Sequence, residues 1–149
     1  MNHSFRTFTN EFLVGKITQV TREFKLTATT YLREFKLTVE SFNLLRILNK
    51  LPDSKCTLSE MKEMDLMEST VLLKTIKHLE AEGLIKKHTA KELSENEISL
   101  TAKGSKTLQR IKNYETLMNN TLAGLDAVEK KTLYNLLNKV QTPLVLQVM

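Results

Sequence analysis

One cysteine, two prolines and four glycines in 149 residues leave the chain few of the residues that staple or punctuate a fold. With Cys56 alone no intramolecular disulfide can form, and a reducing, cytoplasmic setting is the expectation. Sparse glycine and proline disfavour a turn-rich β architecture and point to helices. No apolar run approaches the roughly 18 residues needed to span a bilayer, so no membrane partner is expected. The start, "MNHSFRTFTNEF", lacks the continuous apolar core of a signal peptide, and the apolar tail "PLVLQVM" is far too short to anchor. There is no glycine-rich phosphate loop and no nucleophile elbow. His3, His78 and His88 share no metal-ligand spacing with Cys56 or with one another. No enzyme, cofactor or metal site is therefore expected.

The chain is 41% hydrophobic and 26% charged, a balance that supports one globular domain or one protomer of an intertwined oligomer. Its formal charge of +5 permits an acidic partner such as nucleic acid without proving one. The excess is unevenly placed. Thr57 to Lys91 holds six lysines against six acids, whereas Ile98 to Tyr114 carries Lys103, Lys106, Arg110 and Lys112 with no acid.

Periodicity sets the organisation. From Phe5 to Phe35, Phe5, Phe8, Phe12, Ile17, Val20, Phe24, Ala28, Tyr31 and Phe35 recur mostly at steps of three and four, a stripe along one long helix. The stripe is longer than a small domain can cover, which favours its use between subunits over packing on the protomer's own core. Thr38 then caps a helix whose buried face is Phe42, Leu45, Leu48 and Leu51, and Pro52-Asp53 ends it. "TLSE" has capping-box spacing, Thr57 to Glu60, and opens a short helix. A second amphipathic helix follows from about Met67, with Leu72, Ile76 and Leu79 inward and Gly83 just past its end. "KKHTAKELSENEISLT", Lys86 to Thr101, alternates at both ends around a polar tip and predicts a β-hairpin. Thr101 caps a long helix through "AKGSKTLQRIKNYETLMNNTLAGL". "DAVE", Asp126 to Glu129, is a second capping box for a last helix running to about Gln141.

A short helix, a tight link and a second helix make a helix-turn-helix, and the hairpin directly after it makes a wing. The expected fold is mainly α with a small β-hairpin. In such a unit the second helix enters the major groove. Its outward residues are Ser69, Thr70, Leu73, Lys74 and Lys77, with His78 partly so. Short hydroxyls and lysines reach phosphates or base edges, and Leu73 can pack on a thymine methyl. Lys86, Lys87, His88 and Lys91 on the hairpin's first strand would hold the DNA backbone. Cys56, just before the Thr57 cap, has the position of a redox switch if the helix start lowers its pKa, although an idle thiol is the commoner case. The methionines, Met61, Met64 and Met67 among them, suit an adaptable core.

Over Leu37 to about Leu108 the chain resembles the MarR family of winged-helix transcription regulators. The resemblance rests on "LTVESFNLLRIL", "TLSEM", "HLEAEGLIKK" and the wing exit "ISLTAKGSKTL", with its leucine-threonine, two residues, glycine pattern. It implies a homodimer on a pseudo-palindromic operator in double-stranded DNA, acting as a repressor. Residues 1–36 and 101–149 would form the dimerisation region and 37–100 the winged lobe, with a small-molecule effector held between the dimer helices and the lobes. Two departures stand out. Family wings carry an arginine near the tip that enters the minor groove, whereas "AKELSENE" has none and places Glu92, Glu95 and Glu97 there. Leu73 stands where a small hydroxyl residue is common. Both features support a second reading, a winged-helix protein-interaction module that has lost DNA binding.

Overall fold

A computed structural model describes residues 9–92 and 95–140. Phe5, Phe8, His3, Ser94, Gln141 and the tail from Pro143, all invoked above, lie outside the described residues. The chain divides into two compact units, one ending at Tyr114 and one beginning at Glu115.

In the first unit, α1 (Asn10–Leu32) ends in a 3-10 turn through Phe35 and a left-handed Lys36. Helix α2 (Val39–Lys50) starts where expected, with the Thr38 hydroxyl accepting from the Ser41 N–H at 3.0 Å. Phe42, Leu45 and Leu48 are buried, and Leu44 with them, but Leu51 is only half-buried. Leu51 has already left the helix, with ψ of 154°, so it falls off the inward stripe.

The hairpin belongs to a three-stranded antiparallel sheet in the order β1-β3-β2. Strands β2 (Ile85–His88) and β3 (Glu97–Leu100) are the wing arms, and β1 (Lys55–Thr57) was not expected. At three residues it is too short to show alternation, yet it pairs Cys56 with Ile98 and closes the sheet edge. Thr57 ends β1 and caps α3 (Leu58–Glu63) through a full capping box with Glu60.

Helix α4 (Ser69–Ala81) begins two residues later than the pattern suggests, with Glu68 at its N-cap. Its end follows the sequence. Gly83 takes φ of +76°, the Leu84 N–H reaches the Leu79 carbonyl, and the Gly83 N–H reaches Glu80, which together form a Schellman cap. Leu72, Ile76 and Leu79 are buried, as are Leu44, Leu45 and Leu48 of α2, the helix that α4 packs on. Each such leucine contributes about 1.5–3 kcal/mol relative to exposure.

The long helix expected after Thr101 is broken. Helix α5 (Ala102–Arg110) stops at Ile111, whose ψ of 90° is extended, and α6 (Asn113–Thr121) restarts beyond Lys112. The break has a packing reason: Ile111 and Tyr114 are both buried, and the Tyr114 ring lies tilted against Phe42 at 4.4 Å and meets Phe24 edge-on at 6.2 Å. In the second unit the Asp126–Glu129 capping box starts α7 (Ala127–Lys139), which buries none of its residues within the chain.

Candidate nucleic-acid interface

The apolar stripe of α4 fixes what its other side presents. With Leu72, Thr75, Ile76 and Leu79 inward, Ser69, Leu73 and Lys77 fall at successive i, i+4 positions, and Thr70 and Lys74 lie beside them. All five are exposed, so the structure assembles this part of the predicted set on one face. Ser69 is the first helical residue. The Thr70 hydroxyl is already engaged, donating to the Glu68 carboxylate at 2.8 Å. That contact brings an acid to the helix start, which sequence spacing alone did not single out. His78 plays a different part, with its Nε2 3.3 Å from the Lys36 carbonyl, tying α4 to the turn after α1.

The wing residues do not act as one group. Register places Lys87 opposite Ile98 and Ile85 opposite Leu100, on the face turned towards the core. Lys86, opposite Ser99, and His88, opposite Glu97, occupy the other face. Only Lys87 therefore shares a cleft with Lys77 of α4. Lys91 is exposed on the loop beyond β2. The acidic tip also separates. Glu97 is a strand residue 3.9 Å from Lys55 of β1, so of the three glutamates only Glu92 and Glu95 sit on the loop.

Contacts at the wing's base set its angle to α4. The Thr101 hydroxyl accepts from the Gly104 N–H and donates to the Gly83 carbonyl at 2.7 Å, joining the start of α5 to the end of α4. Lys103 donates to the Glu82 carbonyl at 2.7 Å. A side chain at Gly104 would strike the Leu84 carbonyl and Leu100, which explains the glycine of the "LTAKG" pattern. Asn96, 2% exposed, accepts from the Ala90 N–H at 2.7 Å through Oδ1, while its own carbonyl accepts from the Leu58 N–H at 2.8 Å. Asn96 thus ties the wing loop to the first helix of the motif, a role its place in the polar tip did not reveal. Arg110, in the acid-free stretch, lies over the Phe35 ring at 5.4 Å. Part of that basic excess therefore serves packing.

Cys56 follows the commoner of its two readings, the idle thiol. It is buried in β1, and burial, with the Glu60 carboxylate adding to it, pushes the thiol up to about 11. The helix start does not activate it, and the redox-switch reading fails. Among the described residues no three histidine, cysteine or acidic side chains gather as metal ligands, and no helix is long and apolar enough to cross a membrane.

No family model matches the chain, and no curated protein matches it. Solved structures do. A MarR family transcriptional regulator from Streptomyces coelicolor, in complex with DNA, superposes with a TM-score of 0.74 at 15% identity, over 89% of this chain and 86% of that one. The fold is that of the MarR regulators. The organohalide-sensing transcriptional regulator RdhR, in its ligand-free form, gives 0.73 at 23% identity over 93% and 83%. A cysteine-to-serine mutant of MarR from E. coli on operator DNA gives 0.68 at 20% identity over 87% and 94%.

Proposed function

We propose that the protein is a dimeric, DNA-binding transcription regulator that represses by occupying a pseudo-palindromic operator. The observation that carries this reading is the exposed face of α4, where Ser69, Thr70, Leu73, Lys74 and Lys77 project from a helix held rigid by its inward stripe. Lys74 and Lys77 contact phosphates or guanine, Ser69 and Thr70 phosphates or base edges, and Leu73 thymine methyls. From the wing, Lys87 holds the backbone from the α4 side, and Lys86, His88 and Lys91 hold it from the hairpin's outer face and loop. Two of the similar structures were solved on DNA, as their names state, which supports duplex DNA as the partner.

A second copy of the chain covers the apolar surface that one copy leaves open. Leu13, Val14, Ile17 and Val20 of α1 are 40–61% exposed. Leu133, Leu136 and Leu137 form a stripe on α7 and Val140 follows at its C-cap, all 39–55% exposed. Residues 1–36 with 101–149 supply the dimerisation region and 37–100 the reading lobe, although α5 also closes that lobe by packing on α2. Regulation by a small molecule is part of the proposal, supported by the organohalide-sensing neighbour. A cytoplasmic location follows from it.

The charge balance of Thr57 to Lys91, the Glu68 carboxylate on Thr70 and the two glutamates of the wing loop favour one alternative, a winged module that binds protein instead. Selection from a pool of random duplexes separates the two. The DNA reading expects enrichment of an inverted repeat bound by two protomers. Failure to retain any duplex at low salt sinks it and leaves the protein-binding reading.

A further inference from the structure

Glu68 is absent from the residues that the stripe of α4 nominates, yet it stands directly in front of them. It is the N-cap of α4 and is exposed. A carboxylate at a helix start ordinarily turns back onto the free N–H groups of the first turn, where the helix dipole favours it. The Glu68 side chain makes no such bond. The helix begins without it, through the Leu72 N–H donating to the Glu68 carbonyl at 2.8 Å. The carboxylate is held from the side instead, where the Thr70 hydroxyl donates to Oε1 at 2.8 Å. Among the described residues no other hydrogen bond and no ion pair reaches this side chain, so Oε2 is left to accept. Thr70 itself belongs to the exposed face, and Lys74 follows one turn further along the same stripe.

On a surface that meets phosphate, this carboxylate repels the backbone that supplies non-specific affinity. It is favourable only where a base edge offers a donor, because a carboxylate can only accept. In the major groove guanine presents two acceptors, N7 and O6, and thymine presents the O4 acceptor beside a methyl group. Adenine sets its N6 donor next to the N7 acceptor. Cytosine alone presents a donor, N4, with no acceptor beside it on the same base. The N-terminal residues of a recognition helix are the ones that meet base edges. We propose that Glu68 reads cytosine, with Oε2 accepting from the N4 amino group. Thr70 is then a positioning residue, fixing the carboxylate through Oε1. The assignment rests on the DNA reading above and adds a base to it. Each half-site carries a cytosine at a position where acceptor edges are repelled.

Selection from random duplexes, run in parallel on wild type, Glu68→Gln, Thr70→Val and Thr70→Ser, tests this. Wild type should return an inverted repeat with one fixed cytosine in each half-site. Exchanging that cytosine for thymine should weaken binding about tenfold to a hundredfold per half-site. Glutamine pairs bidentately with adenine N6 and N7, so Glu68→Gln should move this position to adenine and leave the others unchanged. With one negative charge removed, that variant should bind unselected duplex at least as tightly as wild type. Thr70→Val should broaden the choice at the same position, and Thr70→Ser, which keeps the hydroxyl, should restore it. Unchanged melting curves check that the variants fold, and a switched base is a readout that a purely structural role would not move. A repeat with no fixed cytosine, or one whose bases Glu68→Gln leaves unchanged, overturns the assignment while the DNA reading stands. A base choice unaltered by Thr70→Val refutes the positioning role. A wild-type chain that retains no duplex at low salt overturns both the assignment and the reading beneath it.

Discussion

Cys56 and Gly104 show how much a single position depends on what the fold brings to it. The Cys56 thiol is held protonated because β1 buries it, so thiolate chemistry is suppressed in the native state. Alkylation at pH 8 should proceed at least about tenfold more slowly in the folded chain than in denaturant. The linkage has a definite sign. A group whose folded pKa is raised to about 11 contributes stability that is complete below the ordinary thiol range and is lost as pH rises through 11. Equal alkylation rates in the folded and unfolded chain would remove this account. Gly104 is required for space, since a Cβ there meets backbone as well as side chain. Gly104→Ala should destabilise the protein by about 1–3 kcal/mol, the range for overpacking, read from a denaturant midpoint. A midpoint equal to wild type would show that α5 can shift without loss.

At the scale of elements, caps and stripes were the legible features. Thr38, Thr57–Glu60, Gly83, Thr101 and Asp126–Glu129 each mark a boundary where the structure has one, because a cap is a local exchange of hydrogen bonds with the adjacent turn. What escaped the sequence depends on distant partners. Strand β1 is recognisable only through its pairing with β3. The break at Ile111 follows from an aromatic cluster whose members come from α1, α2 and α6. The candidate site divides in the same way. The α4 residues share a face by helical period alone, whereas the separation of Lys87 from Lys86 and His88 needs the register of β2 on β3. Helices α1 and α7 carry a prediction of their own. Their exposed apolar stripes should be an interface, so Ile17→Glu with Leu136→Glu should convert a dimer to a monomer in analytical ultracentrifugation while helical content is retained. A wild-type chain that sediments as a monomer at micromolar concentration contradicts that assignment.

For the whole molecule, the modest net charge of +5 and a stretch from Thr57 to Lys91 with equal numbers of acids and lysines make geometry decisive. The fold resolves part of this. Glu97 turns to Lys55, and Glu80 sits in the cleft beside Lys77 rather than at the start of α4. Glu92 and Glu95 remain on the wing loop, so the wing should hold the backbone from its sides without inserting a cation into the minor groove. The central claim is that lysines of α4 and the wing meet phosphate, and the salt dependence of duplex binding tests it most directly. Each phosphate contact contributes about 0.9 to the slope of log K against log salt. Lys74→Ala with Lys77→Ala removes four contacts from a dimer, so the slope should become shallower by about 3–4 and low-salt affinity should fall at least about tenfold. A slope and affinity unchanged by both substitutions would contradict the account.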